Sequence, residues 1–252
     1  MKKKQKSYKI TKDKFFDRQQ RDLLMEVCEY KSAVDSYKGR KTWVTRYMLV
    51  HLALYSGLRV SELSRLTIKD LHLLNVKEPY IFVKDGKGSR DRDVYIDRNL
   101  VNHLKEYLDI KKKGWSESTE NDAPLFVGHG GSNISVLALE HSFKKSLVEA
   151  GLRKEIKANG TTTFEKSGFT IHSCRHTYAT FLLDSSKTMR YVQKQLGHAS
   201  MNMTGLYADV LPEMNGELAN SILDGLPEKN NSKLANTILD GIKRLLEDKD
   251  NG

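Results

Sequence analysis

Residues Trp43–Tyr55 (WVTRYMLVHLALY) are apolar almost all the way round a helix. Such a helix has no face to offer to water, so other elements must enclose it. Gly57 is placed to end it through a left-handed cap. Helical periodicity elsewhere supplies the shell. Phe15–Tyr30 carries Phe15, Leu23, Leu24 and Val27 on one side, and a polar break at Asp35–Lys41 follows it. Leu100–Lys113 closes in three lysines that suit a helix C-terminus. Ser135–Ala150 turns Val136, Leu139, Phe143, Leu147 and Val148 inward. Tyr80–Lys84 and Arg92–Asp97 alternate as two strands around the glycine-rich loop Asp85–Arg90. Pro124–Gly128 reads as a third short strand, and Arg153–Gly168 as a loop or extended segment. The fold class expected is mainly α with a small antiparallel β-sheet (α+β).

The chemistry concentrates in Thr170–Val210, with expected helices at about Ile171–Leu183 and Thr188–Leu196. His172, Arg175 and His176 share one helical face at i, i+3 and i+4. His198 follows in a Leu-Gly-His turn, and Tyr207 comes nine residues later. Upstream, directly after Gly57, stands Leu58-Arg59-Val60-Ser61-Glu62-Leu63, an arginine held rigidly where a buried helix ends. Between the two strands, Gly86 and Gly88 flank Lys87, so the loop can bend tightly and project one ammonium.

Together these residues resemble the motifs of the tyrosine recombinases, or phage-type integrases, and especially Xer-like catalytic domains. The resemblance runs from about residue 12 to 212. It implies the tyrosine recombinase catalytic-domain fold, with Arg59, Lys87, His172, Arg175 and His198 as catalytic residues. Tyr207 is then the nucleophile, Glu62 a supporting carboxylate and His176 a further supporting residue. It implies cleavage and rejoining of DNA strands through a 3′-phosphotyrosine. Lys84 competes with Lys87 for the role of general acid. Most members place a helical core-binding domain first, and residues 1–14 leave no room for one.

Those residue types suit the reaction. Two arginines can clamp nonbridging phosphate oxygens in bidentate fashion. Imidazoles titrate near neutrality and can pass protons. A phenol, with a pKa near 10, needs such neighbours to become a nucleophile. No acidic cluster suggests a two-metal site, so no metal or other cofactor is expected. Zinc is a rival reading of His172 and His176 with Cys174 between them, but an arginine on that face would repel the cation. The plainer alternatives are an Arg59–Glu62 surface pair, a basic turn at Lys87, and satisfied core histidines.

Charge points to the same partner. The chain carries +10 with a pI near 9.4. Residues 213–252 hold eight acidic and five basic side chains, net −3, which leaves +13 on residues 1–212. A basic body with a mildly acidic tail fits a polyanion partner, double-stranded DNA. Residues 1–14 form a basic arm of seven lysines and one aspartate, including Lys2, Lys3 and Lys4. With Lys84 and Arg90, these are the expected phosphate contacts. Residues 15–212 make the catalytic domain. In 213–252, Leu218–Gly225 (LANSILDG) recurs as Leu234–Gly241 (LANTILDG), each copy a short amphipathic helix that needs a partner surface. The resemblance implies self-association, as dimer or tetramer on DNA, through this tail. Cys28 and Cys174 offer no disulfide framework and fit the cytoplasm. No apolar run reaches the roughly eighteen residues of a membrane span.

A type IB topoisomerase-like nicking-closing enzyme and a catalytically inactive DNA-binding accessory protein are the alternatives to a recombinase.

Overall fold

A computed structural model describes residues 14–74, 76–84, 91–115, 117–158, 161–165, 168–185 and 188–197. All belong to the compact unit that spans Met1–Leu211.

The apolar stretch forms α2 (Thr42–Ser56), and it is enclosed as its sequence requires. It packs against α1 (Arg18–Tyr37), α4 (Arg98–Gly114), α5 (Val136–Glu149) and α6 (Ile171–Asp184). Val50, Leu52 and Ala53 lose all contact with water. Burying each large aliphatic side chain contributes about 1.5–3 kcal/mol. Gly57 ends the helix in the left-handed region at φ 63°, ψ 19°.

The first helix departs from expectation at both ends. Phe15 and Phe16 precede it and are buried, with the Phe16 ring 4.2 Å from that of Phe169. The helix begins after Asp17, which accepts from the Gln20 N–H at 2.8 Å while the Gln20 side chain accepts from the Asp17 N–H, a capping box. It then runs past Tyr30 and into the expected break, ending at Tyr37 with Lys38 as its cap. The cause is Asp35: buried, it accepts from the backbone N–H of Trp43 at 2.9 Å and so serves the start of α2. Leu24 and Cys28 face the core, whereas Leu23 is exposed.

After α2 come α3 (Val60–Arg65) and a three-stranded antiparallel sheet in the order β1 (Leu71–His72), β2 (Tyr80–Val83), β3 (Arg92–Tyr95). Tyr80 pairs with Tyr95, and Val83 with Arg92. Ile81, Val83, Arg92 and Val94 form the buried face. The strand expected at Pro124–Gly128 is not one. Its backbone makes isolated pairings in place of a ladder, Leu125 N–H to Leu66 C=O at 2.8 Å and Ile134 N–H to Phe126 C=O at 3.1 Å, with single bridges at Pro124 and Val127. Leu125 and Phe126 still fill the core, which is what their apolar run reported.

In α5, Leu139, Phe143 and Leu147 are buried, while Val136 and Val148 are half-buried. The unassigned stretch after it contains a hairpin, β4 (Glu155–Ala158) paired with β5 (Thr161–Phe164). Arg153 pins its base by donating to the carbonyls of Phe169 (2.6 Å) and Glu165. The chain then enters α6 at Thr170, and α7 (Met189–Leu196) follows, ended by Gly197 at φ 65°.

Candidate active site

Gly57 and Gly197 both turn through the left-handed region, and both turns lie where another element crosses closely. A Cβ on Gly57 would come within 2.4 Å of Tyr178 Cδ1 and 2.9 Å of Leu196 Cδ2. One on Gly197 would come within 3.0–3.1 Å of the Arg92 side chain. These approaches bring the start of α3, the end of α7 and the first turns of α6 to one place.

Arg59 is the N-cap residue of α3. Its backbone N–H donates to Glu62 Oε2 and its Nη1 to Glu62 Oε1, both at 2.8 Å. Its Nη2 reaches the carbonyl of Gly197 at 3.3 Å, 138 residues away in sequence. The surface pair Arg59–Glu62 considered from sequence is thus half correct: Arg59 is partly exposed, but Glu62 is buried. Arg175 is 2% exposed. Its Nη1 donates to Gly57 C=O at 2.7 Å and its Nη2 to Leu196 C=O. Both guanidiniums are therefore anchored at the end of α7, Arg59 on the Gly197 carbonyl and Arg175 on that of Leu196, and each has a second anchor, Glu62 for Arg59 and the Gly57 carbonyl for Arg175.

His172 lies one turn before Arg175 and is exposed; its ring meets that of buried His176 edge to face, centroids 4.6 Å apart. Partial desolvation first, then the charges of Arg175 and Arg59, pull the His172 pKa down. Burial, then His172, Arg175 and Lys14, bring His176 to about 4. Both imidazoles are held neutral at physiological pH, so each can accept a proton or donate one N–H. The third member of the rival zinc set is elsewhere: Cys174 is fully buried in the hydrophobic core, its thiol pushed up by desolvation. Among the described residues no group of three His, Cys, Asp or Glu could hold a metal ion.

Arg92 was not anticipated. Buried on β3, it donates from Nη1 and Nη2 to the two oxygens of Glu62 at 3.0 and 2.8 Å. Its Nε donates to the carbonyl of Gln195 at 3.0 Å, and the Gln195 side chain accepts from the Tyr95 N–H at 3.1 Å. Burial alone would raise the Glu62 pKa, but the hydrogen bonds and charge of Arg92 and then Arg59 outweigh it, and the net shift is downward. The signal was available. Arg92, Val94 and Ile96 share the inward side of an alternating strand, and an arginine there demands a buried anion.

The structure thus brings Arg59, Glu62, His172, Arg175 and His176 together. Lys84 is exposed just past the end of β2. Lys87 and Arg90, in the segment joining β2 to β3, lie outside the described residues, as do His198, Tyr207, Lys2, Lys3 and Lys4.

A helical domain built round one buried helix, with a peripheral antiparallel sheet, is the architecture of tyrosine recombinase catalytic domains. The crystal structure of XerA recombinase superposes with a TM-score of 0.60 and 28% identity, over 81% of this chain and 64% of that one. XerH bound to difH substrate in a pre-cleavage complex gives 0.58 and 26%, over 80% and 52%. The chain belongs to the phage integrase family, which it matches over residues 14–214. Tyrosine recombinase XerD of Oceanobacillus iheyensis is 30% identical over 195 residues, 77% of this chain and 59% of that protein. The chain spans about half the length of the curated relatives it matches.

Proposed function

We propose that this chain is a site-specific DNA recombinase or integrase that cleaves and rejoins strands of double-stranded DNA through a 3′-phosphotyrosine. The observation that carries the proposal is the convergence of Arg59 and Arg175. Each is tied to a helix end more than a hundred residues away, at Gly197 and Gly57. Preorganised donors of this kind stabilise charge that develops in a phosphorane without reorganising during the reaction.

In this reading Arg59 and Arg175 hold the nonbridging oxygens and Glu62 orients Arg59. His172 and His198 donate hydrogen bonds or pass protons, with His176 packed behind His172. Tyr207 attacks phosphorus, its phenolic proton passing to a neighbouring base. The bond from phosphorus to the 5′-oxygen breaks, and Lys87 protonates that oxygen, Lys84 being the other candidate. The phosphotyrosine keeps the energy of the broken bond, so a second 5′-hydroxyl can displace the tyrosine. No step requires a metal ion. Lys84, Arg90 and the arm lysines Lys2, Lys3 and Lys4 contact phosphates, and the 213–252 tail mediates self-association on DNA. The setting is the cytoplasm.

The test is a denaturing gel after incubation with a pool of nicked suicide duplexes, in which cleavage releases a short strand and traps the covalent adduct. An adduct that forms in EDTA and disappears in Tyr207→Phe is expected. An adduct retained in Tyr207→Phe refutes the nucleophile. Relaxation of supercoiled plasmid irrespective of sequence would favour the topoisomerase-like alternative. DNA binding that falls steeply with salt, with no adduct at any pH, would favour the accessory-protein alternative.

A further inference from the structure

We propose that Arg92 is a positioning residue for strand cleavage, acting through Glu62 on Arg59 and never touching DNA. The inference rests on the cleavage reading above and adds to it a residue that no motif named. Arg92 is 7% exposed, and its Nε, Nη1 and Nη2 all donate to acceptors within the protein. Its three bonds run to different parts of the site. Two hold both oxygens of Glu62, the same carboxylate that binds Arg59 through backbone and side chain. The third holds the carbonyl of Gln195 in the last turn of α7, two residues before the Gly197 carbonyl that accepts from Arg59.

Each oxygen of Glu62 thus serves both arginines. Oε1 accepts from Nη1 of Arg59 and Nη1 of Arg92, and Oε2 from the Arg59 backbone and Nη2 of Arg92. With both oxygens committed, the carboxylate cannot rotate, and the Arg59 guanidinium inherits its orientation. Arg92 is also the first residue of β3, directly after the segment that carries Lys87. One buried guanidinium therefore ties the strand leaving that segment to α3 and to the end of α7. Gly197 is required partly for this reason, since a Cβ there would lie 3.0 Å from Arg92 Cδ.

Lysine keeps the charge but loses the planar fork, so Arg92→Lys isolates geometry. Misplacing a catalytic group by about 1 Å can slow a reaction by about 100-fold. Single-turnover cleavage of a suicide duplex by Arg92→Lys is expected to slow by about that factor, with DNA affinity within about threefold of the unsubstituted chain. Combining Arg92→Lys with Glu62→Gln is expected to be no slower than the slower single variant, because both act through one carboxylate. Lys111→Met, which removes a buried lysine from the carbonyls of Pro124 and Leu125, controls for lost stability and should cleave at the normal rate below its melting point. If Arg92→Lys melts below the assay temperature, Arg92→Gln replaces it with the same expectations. Multiplying effects in the double variant, or affinity falling in step with rate, would overturn the assignment. So would an unchanged cleavage rate. Absence of any adduct from the unsubstituted chain would instead refute the cleavage reading, and this assignment with it.

Discussion

Gly57→Ala tests the turn on which Arg175 is hung. At φ 63° an L side chain costs about 1–2 kcal/mol in the backbone alone. The new methyl would also sit 2.4 Å from Tyr178 Cδ1 and 2.9 Å from Leu196 Cδ2, far inside carbon contact distance. Both neighbours are buried and cannot swing away, so relief requires shifts of α6 and α7, and overpacking of this kind costs about 1–3 kcal/mol. The two effects together come to about 2–5 kcal/mol, a large part of the roughly 5–15 kcal/mol that holds a typical domain folded. Gly39 is the internal control. It has φ 64° but nothing within 4 Å of a Cβ, so Gly39→Ala carries only the backbone cost of about 1–2 kcal/mol. Urea unfolding of the two variants, followed by circular dichroism, separates strain from close approach. Equal losses in both would refute the argument that α6 and α7 close on this turn.

Three further outcomes follow from the same geometry. Arg175→Lys keeps its charge but loses the planar fork whose two nitrogens reach Gly57 C=O and Leu196 C=O, so adduct formation should fall by about 100- to 1,000-fold; near-normal trapping would contradict this role. Burial, then the adjacent His103, lowers His51 to about 3, so the fold favours the neutral ring. Its stabilising contribution is complete above the unfolded pKa near 6.5 and is lost as pH falls toward 3, about 2–3 kcal/mol by pH 4.5. Replacing it with His51→Phe should flatten the urea-stability profile between pH 7 and 4.5 by that amount, and an unchanged slope would count against it. Lys111→Met should cost about 1–3 kcal/mol, because the carbonyls of Pro124 and Leu125 and the carboxylate of Glu117 lose a buried donor; unchanged thermal stability would show those groups find other partners.

What could be read in the sequence was whatever depended on local pattern. The apolar circumference of Trp43–Tyr55 announced an enclosed helix, and the two-residue period of Tyr80–Lys84 and Arg92–Asp97 announced a hairpin. The i, i+3, i+4 spacing placed His172, Arg175 and His176 on one turn. What could not be read depended on partners distant in the chain. Asp35 looks like a helix breaker until Trp43 is seen to use its carboxylate. Leu125 and Phe126 look like a strand because they are buried, but the segment pairs through single bridges at the flanking Pro124 and Val127. The β4–β5 hairpin is hard to recognise because Thr161, Thr162 and Thr163 are polar and exposed on both faces of the strand, leaving little alternation to find. Glu62 was given one arginine from sequence, and it has two.

That second arginine changes the electrostatics of the site. Had Glu62 served Arg59 alone, the pair would be neutral and Arg175 would stand as a single positive charge. With Arg92 included, Glu62 serves two guanidiniums and Arg175 is a third beside them, a local surplus of two positive charges, much of it buried. Bonds to carbonyls fix Arg59 and Arg175 without cancelling their charge. The same surplus opposes protonation of His172, whose pKa falls partly because of Arg175 and Arg59. A phosphate of the proposed reaction entering the site would reverse that, because its negative charge compensates the arginines and lets an imidazole hold a proton. A His172 pKa measured by NMR should therefore rise when DNA binds and fall in its absence, and the rise should shrink in Arg175→Lys if the phosphate is held where Arg175 points. A His172 pKa indifferent to DNA would mean that the positive surplus serves folding alone.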